Sequence, residues 1–301
     1  MININDLTEL CRKLGCKLHT DCSLKDYTTF KIGGKCHAVV DAASAEAAAE
    51  FVKYFRVNDV KYTVLGRGSN ILASDEGFDG VILHFGSDFS EVTADGTRLT
   101  AQSGASLSAV CVKAQQNGLS GMENLYGIPG SVGGGLFMNA GAYGTEMKDV
   151  VVSAEYIDEN GALKTITADE MKLSYRRSIF SDRNCIVTSV AFELTKGDPD
   201  KIKEAMAECL KKRTSKQPLE YPSAGSTFKR PEGSYASLLI EQCGLKGQSV
   251  GGAQVSEKHS GFVINTGNAT FADVMKLCEK IKNTVMEKTG YSLELEPIIL
   301  K

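Results

Sequence analysis

Residues 127–144 read GIPGSVGGGLFMNAGAYG and carry seven glycines in 18 positions. Ordering so many glycines costs backbone entropy when the chain folds, and a loop with a purely structural role rarely needs them. A backbone that closely approaches a large planar or phosphorylated ligand does need them, because no side chain then stands in the way. The stretch therefore predicts a cofactor site built largely from main chain.

A shorter glycine loop, GRGSN at residues 66–70, directly follows the apolar strand signal KYTVLG. Its glycines turn N–H groups toward a phosphate, and Ser69 and Asn70 add side-chain hydrogen bonds. The third glycine of the dinucleotide fingerprint is missing, the next segment does not predict a helix, and no G-K-[ST] motif occurs. Alone, this loop is best interpreted as a turn between strands; together, the two glycine segments indicate a cofactor.

The composition narrows the class of protein. The chain has 301 residues, of which 42% are apolar and 24% charged, so we expect a globular protein of roughly two domains. A net charge of −3 argues against a nucleic-acid partner. Nine cysteines without a C-x-x-C pair and four histidines without metal-ligand spacing predict reduced thiols and no metal site. Because neither a secretion signal nor an apolar run of membrane length occurs, we expect a soluble, cytoplasmic protein without a membrane partner, and no feature predicts a protein partner.

Strand signals interspersed with helix signals predict an α+β fold rather than a regular βαβ array. Helices are expected at 4–16, 44–57, 105–119, 198–214, 235–242 and 270–288. Strands are expected at 61–66, 80–85, 91–96, 98–104, 150–157, 163–167, 185–194, 260–265 and 291–300. Asn160-Gly161 predicts a hairpin turn, and Gly197-Asp198-Pro199 predicts a domain boundary, with a softer one near Gly86.

The two glycine segments in this order resemble the flavin site of the UDP-N-acetylenolpyruvoylglucosamine reductase family, and the resemblance runs from Thr28 to the last strand. It implies a fold in which two α+β subdomains clasp noncovalent FAD (the PCMH/VAO type), here residues 1–86 and 87–197, followed by an α+β substrate-binding domain at 198–301. The implied activity is reduction of UDP-N-acetylglucosamine enolpyruvate, a UDP-sugar enolpyruvyl ether, to UDP-N-acetylmuramate in peptidoglycan precursor synthesis. NADPH is the implied hydride donor.

The same resemblance assigns the cofactor contacts. Residues 66–70 are expected to hold the FAD diphosphate, and a second set lines the rest of the cofactor. The full set is Gly66, Arg67, Gly68, Ser69, Asn70, Ser131, Gly133, Gly134, Gly135, Ala140 and Gly141. Arg67 stands where many members have glycine, and we expect the position to tolerate it because Gly66 and Gly68 flank it.

Reducing an enol ether needs, besides a hydride, a group that stabilises the developing charge and an acid that delivers a proton. The resemblance assigns these tasks to Arg176 in a Y-R-x-S motif, Ser226 in a G-S-x-F-x-x-P motif, and Glu296 in an L-x-x-E motif. Without the resemblance, Arg176 is interpreted as a surface arginine in an ion pair and Ser226 as a turn cap. Glu296 is then interpreted as part of a solvated strand face. For Glu294, two residues before Glu296, we keep the solvated interpretation.

Three further residues are assigned to the substrate by the resemblance: Tyr175, Lys216 at the end of a basic run, and Arg230, where another branch of the family has asparagine. Arg176 and Ser226 are 50 residues apart (226 minus 176), which implies the branch without the insertion that carries a lid tyrosine. His259 is expected to be a packed or hydrogen-bonded histidine.

Two other functions are compatible with a flavin site. One is an FAD oxidase of the same fold that acts on an alcohol or hydroxy acid with oxygen, and the other is a flavin-binding module with a regulatory role. Neither explains why the chain keeps Arg176, Ser226 and Glu296 in their three motifs.

Overall fold

The computed structural model describes residues 2–301. Within them, eight α-helices form: α1 (Ile4–Leu14), α2 (Ala45–Val57), α3 (Leu107–Gln116), α4 (Val132–Phe137), α5 (Ile179–Asp182), α6 (Pro199–Lys216), α7 (Ala236–Gln242) and α8 (Phe271–Thr289). No helix of the described chain combines the length and the apolar character that crossing a membrane requires.

The strands of residues 2–301 are mostly short. They are β1 (Lys17–Ser23), β2 (Lys35–Asp41), β3 (Tyr62–Leu65), β4 (Ile71–Ala73), β5 (Phe78–His84), β6 (Val92–Asp95), β7 (Arg98–Gln102), β8 (Leu119–Ser120), β9 (Gly141–Ala142), β10 (Thr145–Glu146), β11 (Val151–Ile157), β12 (Leu163–Thr167), β13 (Ile186–Glu193), β14 (Thr195–Lys196), β15 (Ser249–Val250), β16 (Ala253–Val255), β17 (Val263–Asn265) and β18 (Ile298–Leu300).

Two compact units share the chain. The first unit comprises the described part of Met1–Thr20 together with His37–Arg67 and Gly80–Lys212. The second unit comprises Asp21–Cys36, Gly68–Asp79 and Arg213–Lys301. The shorter glycine loop therefore belongs to both units, since the division falls between Arg67 and Gly68.

The four-stranded sheet with the order β1-β2-β5-β3 lies mostly in the first unit. Strands β3 and β5 are parallel and end in register at Leu65 and His84. Phe51 and Phe55 of α2 are fully buried in the core beside this sheet. Because β3 ends at Leu65, the sheet sets the position where the glycine loop begins.

The second sheet of the first unit is antiparallel, with the order β12-β11-β13-β7-β6. Helices α3 and α4 pack on it, and their Leu107 and Leu136 are buried together with Phe192 of β13. This packing holds the helical part of the glycine segment 127–144 against the centre of the sheet.

The second unit surrounds a core of its own. Strands β15, β16 and β17 form an antiparallel sheet, and Leu239 of α7 and Leu277 of α8 are buried in the core that includes this sheet. Strand β18 pairs in parallel with β4, so that Ile299 lies opposite Leu72. The pairing fixes the last strand of the chain next to the segment that leaves the glycine loop.

The α+β prediction and all six predicted helices are confirmed. Ser44 caps α2, since its Oγ accepts a hydrogen bond from Ala47 N at 3.1 Å. The strand predicted over 291–300 is wrong for residues 291–297, because only β18 is regular. Pro297 has no N–H for a ladder, and Leu295 makes one isolated bridge with Phe228.

Helix α4 was not predicted, because its sequence VGGGLF contains three of the poorest helix-forming residues. Tertiary packing overrides that propensity, and Ser131 caps the helix through its Oγ, which accepts a hydrogen bond from Gly134 N at 3.4 Å. The glycine segment is therefore partly helical rather than a loop throughout.

Asp158 organises the predicted hairpin turn between β11 and β12. Its Oδ1 accepts hydrogen bonds from Asn160 N and Ala162 N, both at 2.9 Å, and Lys164 Nζ lies 2.7 Å from Oδ2. The Lys164 ammonium and then the Ala162 N–H hold the pKa of Asp158 well below its usual range, at about 2. The carboxylate thus stabilises the turn only while it is ionised.

We expect Asp158→Ala to lower the free energy of unfolding by about 1–3 kcal/mol at pH 7, as typical for charge-assisted hydrogen bonds. Since the folded pKa lies below the unfolded one, this contribution is full above about pH 4 and disappears as the pH falls toward 2. Urea unfolding of both proteins across that range measures the difference. Glu159→Ala, an exposed change in the same turn, is the control, and a difference that persists undiminished at pH 2 contradicts the account.

Candidate active site

The two glycine segments meet within the first unit. A Cβ built on Gly66 would overlap the Oγ of Ser131, so the Ser131 side chain packs directly against the Gly66 backbone, which only glycine allows. Arg67 adds a second link, because its Nε donates a hydrogen bond to the carbonyl oxygen of Pro129 at 3.1 Å. This hydrogen bond gives Arg67 a role of its own in joining the two segments.

The backbone of residues 66–70 presents a row of donors. Among the described residues, no protein oxygen accepts a hydrogen bond from any of these five N–H groups. Gly68 is buried, and a buried N–H without an acceptor is costly. A ligand with several anionic oxygens, such as a diphosphate, therefore fits this loop.

Gly68 also has a reason within the protein to be glycine. Its φ of +61° lies in the left-handed region, and a Cβ there would overlap the carbonyl oxygen of Tyr27 in the second unit. Sequence reasoning attributed this glycine to the cofactor alone. A bulky substitution at Gly68 would disturb the loop itself as well as any ligand.

The glycines of α4 differ in what surrounds them. A Cβ on Gly133 would lie 2.7 Å from Ser103 Oγ, and one on Gly135 would lie 3.1 Å from Leu107 Cδ1. Gly134 is exposed, and its nearest neighbour would be Ser131 Oγ at 3.3 Å. Protein packing thus requires glycine at position 133 and crowds position 135, whereas the face at Gly134 is exposed and open for a ligand.

Arg176 lies in a tight two-residue turn of the first unit. Ser174 and Arg177 exchange both backbone hydrogen bonds, at 3.0 and 3.1 Å, and Arg176 between them has a φ of +55°. An arginine in the left-handed region costs free energy, and such strain concentrates at functional sites. The Arg176 guanidinium carbon lies 4.9 Å from the centre of the Tyr175 ring.

The two neighbouring arginines have different environments. Arg177 is largely exposed, and its Nε donates to the Asp182 carboxylate at 3.0 Å, which raises the pKa of Arg177. Arg177 therefore has the surface ion pair that sequence reasoning considered for both residues. Arg176 is partly buried and stacks on Tyr175.

In the second unit, the segments that carry Ser226 and Glu296 pair with each other. Glu296 N donates to the carbonyl oxygen of Thr227 at 3.1 Å, and Phe228 forms a bridge with Leu295. Thr227 is anchored in turn, because its Oγ1 accepts a hydrogen bond from Val263 N at 2.8 Å. Ser226 itself is exposed beside this buried threonine.

Asn70 of the glycine loop joins the same network. Its Nδ2 donates to the carbonyl oxygen of Glu296 at 3.3 Å, and its own carbonyl oxygen accepts from Ile298 N at 2.8 Å. Three segments that are far apart in sequence, around residues 70, 226 and 296, therefore lie together. Arg176 lies in the first unit, whereas Ser226 and Glu296 lie in the second.

Glu294 and His259 behave as expected. Glu294 is exposed and pairs with Lys229 at 3.3 Å. His259 packs edge-on against Phe262, and its Nδ1 accepts a hydrogen bond from Gly261 N at 3.1 Å. Burial lowers the pKa of His259. Glu294 is therefore a solvated residue in an ion pair, and His259 is a packed, hydrogen-bonded histidine.

Lys216 and Arg230, the cations assigned to the substrate, are both exposed in the second unit. Lys216 is the last residue of α6, and Arg230 lies with its guanidinium carbon 4.5 Å from the centre of the Tyr235 ring. Tyr175, the third substrate residue, is exposed in the first unit. Each of the three side chains is accessible to a ligand.

Sequence reasoning did not single out Asn139 of the glycine segment. Asn139 is fully buried, has a φ of +42°, and its side chain hydrogen-bonds three residues in two neighbouring segments. The available signal was an asparagine directly after a short apolar run, at a position where a helix often ends on glycine or asparagine.

Family models match both parts of the chain. Residues 36–167 match an FAD binding domain, and residues 217–300 match the C-terminal domain of UDP-N-acetylenolpyruvoylglucosamine reductase. The first match includes both glycine segments, and the second includes Ser226 and Glu296.

Curated relatives match over nearly the full length. The chain is 47% identical to UDP-N-acetylenolpyruvoylglucosamine reductase from Caldanaerobacter subterraneus subsp. tengcongensis, covering 92% of this chain and 91% of the relative. It is 46% identical to the reductase of that name from Agathobacter rectalis, covering 97% and 96%.

Solved structures agree on the fold. The structure of UDP-N-acetylenolpyruvylglucosamine reductase from Thermus caldophilus, 34% identical, matches with a TM-score of 0.81 over 95% of this chain and 99% of that chain. A grass pollen allergen with glucose dehydrogenase activity, 15% identical, matches with a TM-score of 0.51 over 94% of this chain and 58% of that chain, which concerns the fold alone. The expected FAD-binding fold is confirmed. With this identity over nearly its whole length, the chain belongs to the UDP-N-acetylenolpyruvoylglucosamine reductase family of FAD-dependent oxidoreductases.

Proposed function

We propose that this enzyme reduces the enolpyruvyl ether of UDP-N-acetylglucosamine to the lactyl ether of UDP-N-acetylmuramate, a step in making peptidoglycan precursors, with NADPH as the hydride donor. The observation that carries the proposal is the backbone network around residues 70, 226 and 296. It joins Asn70 of the cofactor loop to the two segments that carry the proposed acid Ser226 and the carboxylate residue Glu296.

The chain's own groups fit FAD. We propose that the unpaired N–H groups of residues 66–70 bind the diphosphate, and that Ser131, Gly133–Gly135, Ala140 and Gly141 line the remainder of the noncovalent cofactor. When bound, the cofactor would supply hydride transfer from NADPH to the terminal carbon of the substrate's enol ether.

Arg176 is proposed to bind the substrate carboxylate. Negative charge develops on the carbon that bears this carboxylate, and a planar guanidinium forms two parallel hydrogen bonds to the carboxylate. The strained turn and the Tyr175 ring limit the orientations of the Arg176 side chain. A guanidinium held in advance stabilises the charge without reorganising as it forms.

Ser226 is proposed to deliver the proton to the carbon that bears the carboxylate. Its exposed hydroxyl follows Gly225 and precedes the buried, anchored Thr227, so the backbone under it is fixed. Glu296, whose N–H is hydrogen-bonded to Thr227, is proposed to assist this proton delivery. We further propose that Tyr175, Lys216 and Arg230 contact the nucleotide-sugar.

The rival interpretation as an FAD oxidase shares the fold but has no use for a positioned acid. An oxidase removes hydride from an alcohol carbon and needs a base there instead. The segments that carry Ser226 and Glu296 pair with each other through Thr227, and this placement of a candidate acid beside a carboxylate residue favours a reductase.

We also propose a cytoplasmic location. None of the nine cysteines forms a disulfide in the described residues, which suits a reducing compartment. The division into subdomains 1–86 and 87–197 and a substrate domain 198–301 remains a prediction.

An anaerobic titration tests the function. We expect the purified protein to be yellow, NADPH to bleach it, and stoichiometric enolpyruvyl nucleotide-sugar to restore the colour. Oxygen-dependent recovery alone, with no response to the enolpyruvyl compound, would support the oxidase instead. Acid precipitation should release the flavin into the supernatant if the site is noncovalent.

Gly134→Ala separates cofactor contact from protein packing. Alanine is the better helix former, and the one close neighbour of its methyl group would be Ser131 Oγ at 3.3 Å, so the variant should stay within about 1 kcal/mol of the parent's stability. Its methyl group should nevertheless weaken FAD binding by roughly tenfold or more if the open face of α4 contacts the cofactor. Fluorescence titration of the apoprotein with FAD measures the affinity.

Gly135→Ala provides the comparison for protein packing, since its methyl group would press on Leu107 in the core and should cost stability with or without FAD. An unchanged FAD affinity in Gly134→Ala would remove Gly134 from the cofactor site.

Ser226→Ala tests the acid. The rate of bleaching by NADPH should stay near that of the parent, since no proton donor acts in that half-reaction. Recovery of the colour with the enolpyruvyl substrate should slow by roughly 10²–10⁴-fold. Stopped-flow absorbance resolves both phases. Equal slowing of the two would indicate a structural role, and no slowing would transfer proton delivery to Glu296 or water.

A further inference from the structure

Asn139 occupies a position at which the local backbone calls for glycine. It follows Met138, the residue that caps the C-terminus of α4, and its φ is +42°. Glycine adopts this conformation without strain, and the surrounding segment is already rich in glycine. The asparagine side chain must therefore contribute something that a glycine cannot.

The nitrogen of the Asn139 side-chain amide has two hydrogen-bond acceptors, and its oxygen has one donor. Its Nδ2 donates to Glu146 Oε2 and to the carbonyl oxygen of Ser174, both at 3.0 Å. Its Oδ1 accepts from Lys148 N at 3.0 Å. Two acceptors and one donor fix the orientation of the amide, and neither a carboxylate nor an aliphatic group of this size satisfies all three.

One of these partners forms the base of the arginine turn. The carbonyl oxygen of Ser174 accepts hydrogen bonds both from Asn139 and from Arg177 N, at 3.0 and 3.1 Å. On the other side of the turn, Ser178 Oγ donates to the carbonyl oxygen of Phe137 at 2.8 Å. The turn that presents Arg176 is thus attached at both ends to the C-terminal end of α4.

The buried location increases the effect of these contacts. Asn139 is fully buried, and removing one partner from a buried hydrogen bond leaves the other unsatisfied. Because Arg176 is not a glycine, its left-handed backbone is strained. The turn therefore depends on hydrogen bonds from other segments to keep this conformation. Asn139 supplies one of them directly from the segment that carries Ala140 and Gly141.

We infer that Asn139 is a positioning residue that aligns the Arg176 turn with the cofactor segment of the same unit, so that the guanidinium meets the substrate carboxylate. The inference rests on the proposed role of Arg176. Asn139 does not touch the carboxylate itself; it holds the backbone from which Arg176 extends.

Two variants test this in the FAD-loaded enzyme. Asn139→Gly keeps a backbone that accepts φ +42° and removes the three hydrogen bonds, whereas Asn139→Asp keeps the shape but cannot donate to Ser174. Asn124→Ala is the matched control, because Asn124 Nδ2 donates to Tyr143 O and Thr145 Oγ1 in the neighbouring hairpin and not to the arginine turn. Flavin content and thermal unfolding report folding for every variant.

The readout is binding of two ligands to the oxidised enzyme by calorimetry, without turnover. UDP-N-acetylmuramate carries the carboxylate, and UDP-N-acetylglucosamine lacks it. In both Asn139 variants the preference for the carboxylate-bearing ligand should fall by roughly tenfold, as expected when a charge-assisted hydrogen bond is misplaced. Asn124→Ala should keep the preference whatever stability it loses.

Arg176→Lys completes a double-mutant cycle. It should abolish most of the preference, and Asn139→Gly should then add little, since both changes affect one interaction. If Arg176→Lys lowers the preference and the Asn139 variants do not, or if the two losses simply add, the positioning role is refuted and the proposed function stands. If Arg176→Lys leaves the preference intact, the proposed carboxylate contact itself fails.

Discussion

The close approach of Gly66 to Ser131 is the constraint on which the cofactor site depends. The Ser131 side chain packs on the Gly66 backbone, and no side chain at position 66 would fit, because a Cβ there would overlap the serine hydroxyl. The approach brings the end of β3 against the N-terminus of α4, and Arg67 reinforces it through Pro129. It occurs where the N–H groups of residues 66–70 have no acceptor within residues 2–301, so the same geometry that joins two segments leaves donors for a ligand.

Backbone strain in the first unit is concentrated around the proposed substrate contact. Asn139, Tyr143, Lys172 and Arg176 all have positive φ, although none is glycine. Each such residue costs of order 1–3 kcal/mol and persists only where the surroundings determine it. Two of the four, Asn139 and Arg176, are linked through the carbonyl oxygen of Ser174. At these two positions the strain accompanies the attachment of the arginine turn to the end of α4.

In the second unit, ordinary backbone pairing fixes the segment that carries Ser226. Ser226 is exposed on a segment whose next residue, Thr227, is buried and bonded to both Val263 and Glu296. Asn70 then connects Glu296 to the cofactor loop. A reactive hydroxyl on a loop is usually mobile, but here three strand-like segments fix the chain beneath it. Proton delivery requires such a fixed position, because its efficiency falls steeply with misplacement.

Elements with local sequence signals could be predicted from the sequence alone. Ser44 and the alanine-rich run that follows it predict α2, Asn160-Gly161 predicts the hairpin turn, and the motifs around Arg176, Ser226 and Glu296 indicate the family. Three features became visible in the folded chain alone. The glycine-rich run forms α4, residues 291–297 are not a strand, and Asn139 supports the arginine turn. Propensity and periodicity describe a residue's neighbours in sequence. Packing and hydrogen bonds with residues far along the chain, or outside any periodic pattern, produce helix α4, the bridge at Leu295 and the Asn139 contacts. No local pattern contains that information.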